Sequence, residues 1–238
     1  MSTTEDPTGG ANAPLDAPIK AILFDIDGTL LTTGGAGAVA WSKAFVDVHG
    51  IPVDIETVTE SGMTDSEVAS ASLSSILDRT PTEEEIAAVT KLYLEYLPDA
   101  VRESERYRLT PGIVECLERL KAEGLLLGLT TGNIEPAARI KLERGDLNRF
   151  FDFGGFGSDS NIRSELTLKG VERGIEASGN QFELDDFIAI GDTPRDIEAG
   201  HTIGIRVIGV ATGHFPANML EESGADWVLE TVEHGFPV

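Results

Sequence analysis

Short, nearly continuous apolar runs recur along this chain, and they alternate with helical patterns. The runs span Ala21–Phe24, Leu125–Leu129, Phe150–Phe153, Phe187–Ile190, Ile205–Val210 and, more briefly, Trp227–Leu229. Runs of this kind predict strands that are covered on both faces. The helical patterns cover Gly112–Ala122, Glu135–Glu143, Ser164–Ala177 and Pro194–His201. The alternation predicts an α/β fold, a Rossmann-like parallel sheet with helices on both faces.

One interval breaks this alternation. About 100 residues separate the first apolar run from the second, far more than a crossover between parallel strands needs. Within the interval, helical spacing covers Gly37–Val48, Asp65–Leu77 and Thr82–Val101. We therefore predict a small all-helical domain over residues 33–108, inserted into an α/β core formed by residues 19–32 and 109–238. Residues 1–18 are rich in Pro, Gly, Thr and Ala, which predicts a flexible tail rather than a signal peptide.

The net charge of the chain limits the classes of partner that it can bind. Acidic residues outnumber basic ones by 41 to 18, which gives a net charge of −23 over 238 residues. Such a surface repels nucleic-acid phosphates, so we expect no nucleic-acid partner. An acidic, solvated surface keeps a protein soluble, and adaptation to high salt is a further hypothesis. An anionic substrate would need local cations or a metal ion at its site.

Cysteine usage and hydropathy bear on the compartment. The single cysteine, Cys116, cannot form an internal disulfide, which fits a reducing cytoplasm or indifference to redox conditions. No apolar run reaches the length of a membrane-spanning helix, so we expect no membrane association. The oligomeric state does not follow from these features.

Two carboxylates follow the first apolar run. Asp25 ends the predicted strand, and Asp27 comes two residues later, before Gly28. If the chain curls at Gly28, both carboxylates can face one site. One carboxylate can then attack phosphorus while the other moves a proton to or from the reacting oxygens. A plain Asp-Gly turn is the alternative interpretation.

A second polar group follows the next run. Thr131, Gly132 and Asn133 lie beyond Leu125–Leu129 and before a predicted helix. A hydroxyl and a backbone N–H at the start of a helix can bind phosphoryl oxygens. Asn133 is also a good helix N-cap, and this purely structural role is the alternative.

A cation and a metal site complete the candidates. Arg163 stands just before the predicted helix that starts at Ser164, and Lys169 lies about a turn and a half further along it. Either cation can offset the negative charge of the carboxylates, unless it is an isolated surface residue. Asp192 and Asp196 follow Phe187–Ile190 and are four residues apart, so both can face one Mg²⁺ ion, a metal that prefers oxygen ligands. Helix capping by Asp192, with Pro194 in the first turn, is the alternative.

Taken together, these residues resemble the motifs of the haloacid dehalogenase superfamily. The segment from Ile22 to Leu30 is closely similar to the first motif, Thr131-Gly132 to the second, and Gly191–Asp196 to the fourth. The resemblance, to phosphoglycolate-phosphatase-like members in particular, runs from about residue 20 to residue 230. It implies that Asp25 is the nucleophile, Asp27 the general acid and base, and the helical insert a cap that closes over substrate.

The same resemblance implies an Mg²⁺ site and a set of substrate contacts. Asp25, the backbone carbonyl of Asp27, Asp192 and, in support, Asp196 would hold the metal, while Thr131, Gly132 and Asn133 would contact the phosphoryl group. The third motif departs from the usual form, because Arg163-Ser164 stands where the superfamily commonly has Lys-Pro. We take Arg163 as the catalytic cation, with Lys169 as its alternative.

The acid Asp27 separates the possible reactions. A dehalogenase of this superfamily lacks that carboxylate, whereas a phosphatase needs it to protonate a leaving oxygen. We predict hydrolysis of a small phosphorylated metabolite, a phosphoglycolate-like acid or a sugar phosphate. A sugar phosphomutase and a non-catalytic binding module remain alternatives.

A phosphonate hydrolase would need a cap lysine, for which Lys43 and Lys91 are the candidates. The segment Ser61–Asp65 resembles a substrate loop, although Thr64 and Glu67 also make a helix capping box.

Overall fold

The computed structural model describes residues 19–233, apart from the side chain of Glu56. The predicted tail, residues 1–18, lies outside the described residues. In chain order the strands are β1 (Ala21–Phe24), β2 (Leu31–Thr32), β3 (Arg108–Leu109), β4 (Leu126–Thr131), β5 (Gly154–Phe156), β6 (Phe187–Gly191), β7 (Arg206–Val210) and β8 (Trp227–Leu229). The helices are α1 (Ala36–His49), α2 (Ile55–Val58), α3 (Asp65–Leu77), α4 (Glu83–Glu103), α5 (Ile113–Ala122), α6 (Glu135–Glu143), α7 (Arg163–Ala177), α8 (Pro194–Ile203) and α9 (Ala217–Glu222).

Six strands form one parallel sheet in the order β5-β4-β1-β6-β7-β8. The chain builds outward from β1 to β4 and β5 on one side, and then returns to add β6, β7 and β8 on the other. The predicted Rossmann-like α/β fold is therefore confirmed. In such sheets the crevice at the carboxyl ends of the central strands is the usual ligand site.

The two faces of the sheet bury different residues of the same strands. Ile22 and Phe24 pack in a cluster with α5 and α6, whereas Ala21 and Leu23 pack in a second cluster with α7 and α8. This alternation follows from the two-residue period of a strand. Because both faces are covered by helices, the strands of this sheet are mostly apolar, and polar residues stand at their ends, as Thr131 does in β4 and Arg206 in β7.

One predicted strand was wrong. The apolar run Phe150–Phe153 is not a strand: its first residue ends a 3₁₀ turn, and β5 begins only at Gly154. Phe150, Phe151 and Phe153 are buried, but they fill the two faces of the core from a loop. The strand forms instead at Gly154-Gly155, because only glycine leaves room for α7: a Cβ atom at Gly155 would lie 1.7 Å from the carbonyl oxygen of Leu166.

The helices α1 to α4 lie in the interval between β2 and β3. They share a third apolar cluster around Trp41, Phe45 and Tyr93. This cluster also takes in Ile134 and Ala137 at the start of α6, so the inserted helices pack directly on the rim of the sheet. The chain leaves and re-enters the sheet region through the antiparallel pair β2 and β3. Among the residues that the structure describes, none of the helices has the length and hydropathy to cross a bilayer.

Candidate active site

A cavity of about 390 Å³ opens at the carboxyl ends of β1, β4 and β6. Residues of the inserted helices, among them Trp41 and Tyr93, form part of its lining. It is lined by all four polar segments that the sequence singled out, among them Asp25, Asp27, Thr131, Arg163 and Asp192. The parallel order of the strands brings these segments together, because their carboxyl ends meet at one edge of the sheet.

Arg163 joins two of the predicted carboxylates. Its Nη2 atom lies 2.7 Å from Oδ1 of Asp25 and 2.6 Å from Oδ1 of Asp196. Its Nε atom lies 3.1 Å from the same oxygen of Asp196. Arg163 is the first residue of α7, and its side chain is only 11% exposed. Arg163 is thus the cation that the structure places among these acids.

Lys169 does not reach this site. It lies further along α7, where its side chain is 46% exposed and pairs with Glu172 at 2.8 Å. The physical reason is helical geometry: six residues, or about one and two-thirds turns, rotate Lys169 well away from the face of Arg163. The structure therefore contradicts the placement of Lys169 as an alternative cation.

Asp192 is the least compensated carboxylate of the cluster. It is 2% exposed, and the hydroxyl of Thr29 lies 3.4 Å from its Oδ1. Burial, together with the negative charges of Asp25 and Asp196, raises the pKa of Asp192 to about 9. The alternative interpretation, in which Asp192 caps α8, is wrong. Thr193 is the N-cap, and it forms a capping box with Asp196.

Asp25 shares this environment. Burial raises its pKa to about 7, while the charge of Arg163 acts to lower it and those of Asp196 and Asp27 to raise it. Asp25, Asp192 and Asp196 each place a carboxylate oxygen within 4.8 Å of the others. Three buried carboxylates so close to one another repel, and one arginine offsets only part of the charge. The oxygen donors and the excess negative charge fit a bound metal cation.

Gly28 allows Asp192 to approach the first motif. Its φ angle is +89°, and a Cβ atom there would lie 2.3 Å from Oδ2 of Asp192. Both the left-handed backbone and the absent side chain are therefore needed. The Asp-Gly turn that the sequence offered as an alternative is present, and it helps to build the site.

Asn133 and Thr131 lie at the end of β4, which flanks β1 on the side opposite to β6 and Asp192. The side-chain amide of Asn133 donates to Oδ2 of Asp27 at 2.8 Å and to Oγ1 of Thr131 at 2.8 Å. Asn133 is not the N-cap of α6. The helix begins after Ile134, whose backbone N–H donates to Oδ2 of Asp65, in the inserted helices, at 2.8 Å. One backbone N–H at the start of α6 is thus paired with a carboxylate from a distant part of the chain.

Sequence reasoning missed Lys141. This residue of α6 is buried, and its Nζ atom lies 2.6 Å from Oδ2 of Asp27 and 2.5 Å from Oδ1 of Asn133. A signal was present: Lys141 falls one turn after Ala137 and Ala138, on the helical face that the small residues predict to be buried. A lysine at such a position needs a buried anion as its partner.

The inserted helices supply the outer wall of the cavity. Trp41 and Tyr93 stack with ring centroids 3.9 Å apart, and both line the cavity. Gly132 meets the insert directly: its carbonyl accepts from Asp65 N at 2.9 Å, and a Cβ atom there would lie 2.8 Å from the carbonyl oxygen of Met63. Thr64 caps α3 in the expected capping box with Glu67. Ser61, Gly62, Met63 and Asp65 also line the cavity.

Comparisons with known proteins agree with this architecture. The family model described as haloacid dehalogenase-like hydrolase matches residues 22–210. A phosphoglycolate phosphatase of Nitrosospira multiformis is 26% identical over 221 residues, which cover 90% of this chain and 93% of that protein.

Two solved structures share the fold. CbbY of Rhodobacter sphaeroides, solved in complex with phosphate, superposes with a TM-score of 0.71 at 22% identity and covers 90% of this chain and 95% of its own. The β-phosphoglucomutase of Clostridium difficile superposes with a TM-score of 0.70 at 22% identity, covering 90% and 92%. The motif residues, the sheet order and the family match together lead to one conclusion: the chain belongs to the haloacid dehalogenase-like hydrolase family.

Proposed function

We propose that this protein is a Mg²⁺-dependent phosphatase that hydrolyses a small phosphate monoester through an aspartyl-phosphate intermediate. The observation that carries the proposal is the pairing of Asp25 with Arg163 at 2.7 Å in a cavity that Asp27 also lines. A nucleophilic carboxylate, a fixed guanidinium and a second carboxylate are the groups that phosphoryl transfer through an enzyme-bound intermediate requires.

In the first half-reaction, an oxygen of Asp25 attacks phosphorus and the bond from phosphorus to the leaving oxygen breaks. Asp27, in its protonated form, donates its proton to that oxygen, so that an alcohol leaves. The hydroxyl of Thr131 and the backbone N–H of Gly132 lie at the same edge of the sheet and would bind the phosphoryl oxygens. Arg163 would hold Asp25 in line and offset the charge of the transferred group.

In the second half-reaction, Asp27 removes a proton from water. The water oxygen attacks phosphorus, the bond from phosphorus to Asp25 breaks, and inorganic phosphate is released. Asp27 is then protonated again for the next substrate. The two half-reactions balance without an external acid or base.

The metal in this proposal is Mg²⁺. Asp25 and Asp192, with the backbone carbonyl of Asp27, would hold it, and Asp196 would act in support, because its oxygens are already engaged by Arg163 and Thr193. When bound, the ion would offset negative charge on the phosphoryl group. The buried carboxylate of Asp192 has too little positive charge around it to balance its own, and this supports a bound metal ion.

We also propose that residues 33–108 act as a cap on a core formed by residues 19–32 and 109–238. The separate apolar cluster of the inserted helices and its contact with α6 support this division. Closure would exclude water while Asp25 attacks. A small phosphorylated acid or sugar is the substrate class we propose, since a related chain is named phosphoglycolate phosphatase. A cytoplasmic location and the absence of nucleic-acid and membrane partners belong to the same proposal.

The test is hydrolysis of p-nitrophenyl phosphate by three proteins: the wild type, Asp25→Asn and the matched control Asp99→Asn, a carboxylate of α4 whose side chain is 68% exposed. We expect turnover by the wild type and the control in Mg²⁺. We expect the loss of at least about 10³-fold in Asp25→Asn, because the nucleophile is gone. EDTA should abolish turnover, and added Mg²⁺ should restore it.

Three results would contradict the proposal. Turnover that survives Asp25→Asn would exclude Asp25 as the nucleophile. The absence of turnover on p-nitrophenyl phosphate and on a panel of small phosphate esters would favour a binding module. A product in which phosphate moves to another position of a sugar, without release of inorganic phosphate, would favour the phosphomutase.

A further inference from the structure

We propose that Lys141 is a positioning residue that aims the Asp27 carboxylate at the leaving oxygen. This inference rests on the proposed phosphatase function and adds a residue that the sequence motifs do not contain. Lys141 lies on α6, outside all four motif segments, yet its ammonium group reaches the cavity.

The contacts fix one oxygen of Asp27. Oδ2 accepts from Lys141 Nζ at 2.6 Å and from the amide of Asn133 at 2.8 Å. Lys141 also donates to Oδ1 of Asn133 at 2.5 Å, so the three side chains form a closed triangle of hydrogen bonds. A carboxylate held at one oxygen by two partners cannot rotate freely. Its other oxygen, Oδ1, is then the one left to exchange a proton with the substrate.

Lys141 is itself held rigidly. Its side chain is 8% exposed, whereas that of Asp27 is 41% exposed and open to the cavity. Its backbone carbonyl accepts from the hydroxyl of Tyr107 at 3.0 Å. The charge of Asp65 in α3 also favours the charged form of Lys141 and acts to raise its pKa. A buried ammonium group that donates to two fixed acceptors is suited to orienting a partner, because it has little freedom of its own.

The alternative role for Lys141 is a counter-charge that only stabilises the folded protein. The two roles predict different effects of its loss on the hydrolysis of substrates with different leaving groups. Protonation by Asp27 is essential when a poorly acidic alcohol leaves, and nearly dispensable when p-nitrophenolate leaves. A residue that positions Asp27 therefore affects alkyl phosphates far more than aryl phosphates, whereas a purely structural residue affects both alike.

The experiment measures kcat/KM for glycerol 2-phosphate and p-nitrophenyl phosphate, since this ratio reports the steps up to cleavage of the ester bond. The proteins are the wild type, Lys141→Met, Asp27→Asn, their double variant, and the control Lys121→Met, a surface lysine of α5. We expect Lys141→Met to lose about 10²-fold on glycerol 2-phosphate and less than about 5-fold on p-nitrophenyl phosphate. Asp27→Asn should show the same selectivity. The double variant should lose no more than Asp27→Asn alone, because the two residues act as one unit.

Equal losses on both esters, no loss on either, or additive losses in the double variant would overturn the role of Lys141. If Lys141→Met does not fold, Lys141→Gln is the second variant, because it keeps a polar side chain in α6 but removes the charge that holds Asp27. A selective loss on glycerol 2-phosphate would then support the proposal, and an equal loss would overturn it. Absence of turnover by the wild type on both esters would contradict the proposed function itself, which separates that failure from a failure of Lys141 alone.

Discussion

Arg163 links three parts of the candidate site at the scale of a single residue. It starts α7, it bonds Asp25 after β1, and it bonds Asp196 in the first turn of α8. The planar guanidinium can hold both carboxylates at once because its donors point in fixed, divergent directions. A lysine provides a point charge without that geometry, so the usual lysine of the third motif is not equivalent here.

Substitution of the two candidate cations should separate them. We expect Arg163→Met to lower kcat/KM on p-nitrophenyl phosphate by at least about 10²-fold, since it leaves Asp25 and Asp196 without their partner. Lys169→Met should stay within about twofold of the wild type, because Lys169 contacts only Glu172 on the surface. The opposite ranking of the two variants would show that Lys169 is the cation that serves the reaction.

Asp65 should make stability depend on pH. Burial raises its pKa to about 6, although Lys141 and the N–H of Ile134 act to lower it. The folded pKa lies above the unfolded one of about 4, so the folded protein binds the proton more tightly. Ionisation of Asp65 therefore costs the folded state free energy as the pH rises through this window.

The Asp65→Asn variant removes this cost while keeping an oxygen that can accept from Ile134. We expect its free energy of unfolding, relative to the wild type, to increase by about 1 kcal/mol between about pH 5 and about pH 7.5. Urea denaturation at the two pH values measures the difference, with Asp99→Asn as the control. A relative stability that is flat or falls with pH would contradict a raised pKa at Asp65.

At the scale of elements, the contact between β5 and α7 decides where Arg163 lies. The helix packs so closely on the strand that Gly155 has no space for a side chain. The two elements thus meet backbone to backbone, close to the first turn of the helix that carries Arg163. Tight packing of this kind transmits any enlargement directly to the site.

Gly155→Ala should therefore destabilise the protein by about 3 kcal/mol and lower turnover, since α7 must move away from β5. The matched control is Gly37→Ala in α1, where nothing lies within 4 Å of the added Cβ. This change should be neutral or stabilising by about 0.5 kcal/mol, because alanine favours a helix over glycine. Thermal and urea denaturation report both variants. A Gly155→Ala protein as stable as the wild type would show that the helix and strand are not in contact as described.

At the scale of the whole molecule, charge is the dominant feature. The net charge of −23 is spread over an acidic surface, while the basic residues Arg163 and Lys141 are buried among carboxylates. Like charges on the surface repel one another and oppose the folded state, and salt weakens that repulsion. The hypothesis of adaptation to high salt follows from this imbalance.

We expect the thermal midpoint of unfolding to rise by several degrees, on the order of 5 °C, as KCl increases from low to molar concentration. Phosphatase activity should persist across the same range. Sucrose of equal osmolality serves as the control, because it does not screen charge. A midpoint that falls with KCl, or activity that is lost as salt rises, would contradict the hypothesis.

Local sequence determined the strands and the positions of the motif residues, because alternation, apolar runs and capping preferences act over a few residues. The buried run Ala21–Phe24 followed by Asp25 is one example, and the capping box of Thr64 and Glu67 is another. The run Phe150–Phe153 was misread, because burial alone does not distinguish a strand from a loop that fills the core.

Only the tertiary structure decided which distant residues complete the site. Lys141 and Asp27 are 114 positions apart, and Asp65 and Ile134 are 69 apart, so no local pattern connects either pair. Their contacts arise when α6 packs against α4 of the insert and shares a core cluster with β1. A hydrogen bond between side chains depends on where the backbones are placed in space, and packing of whole elements sets that placement.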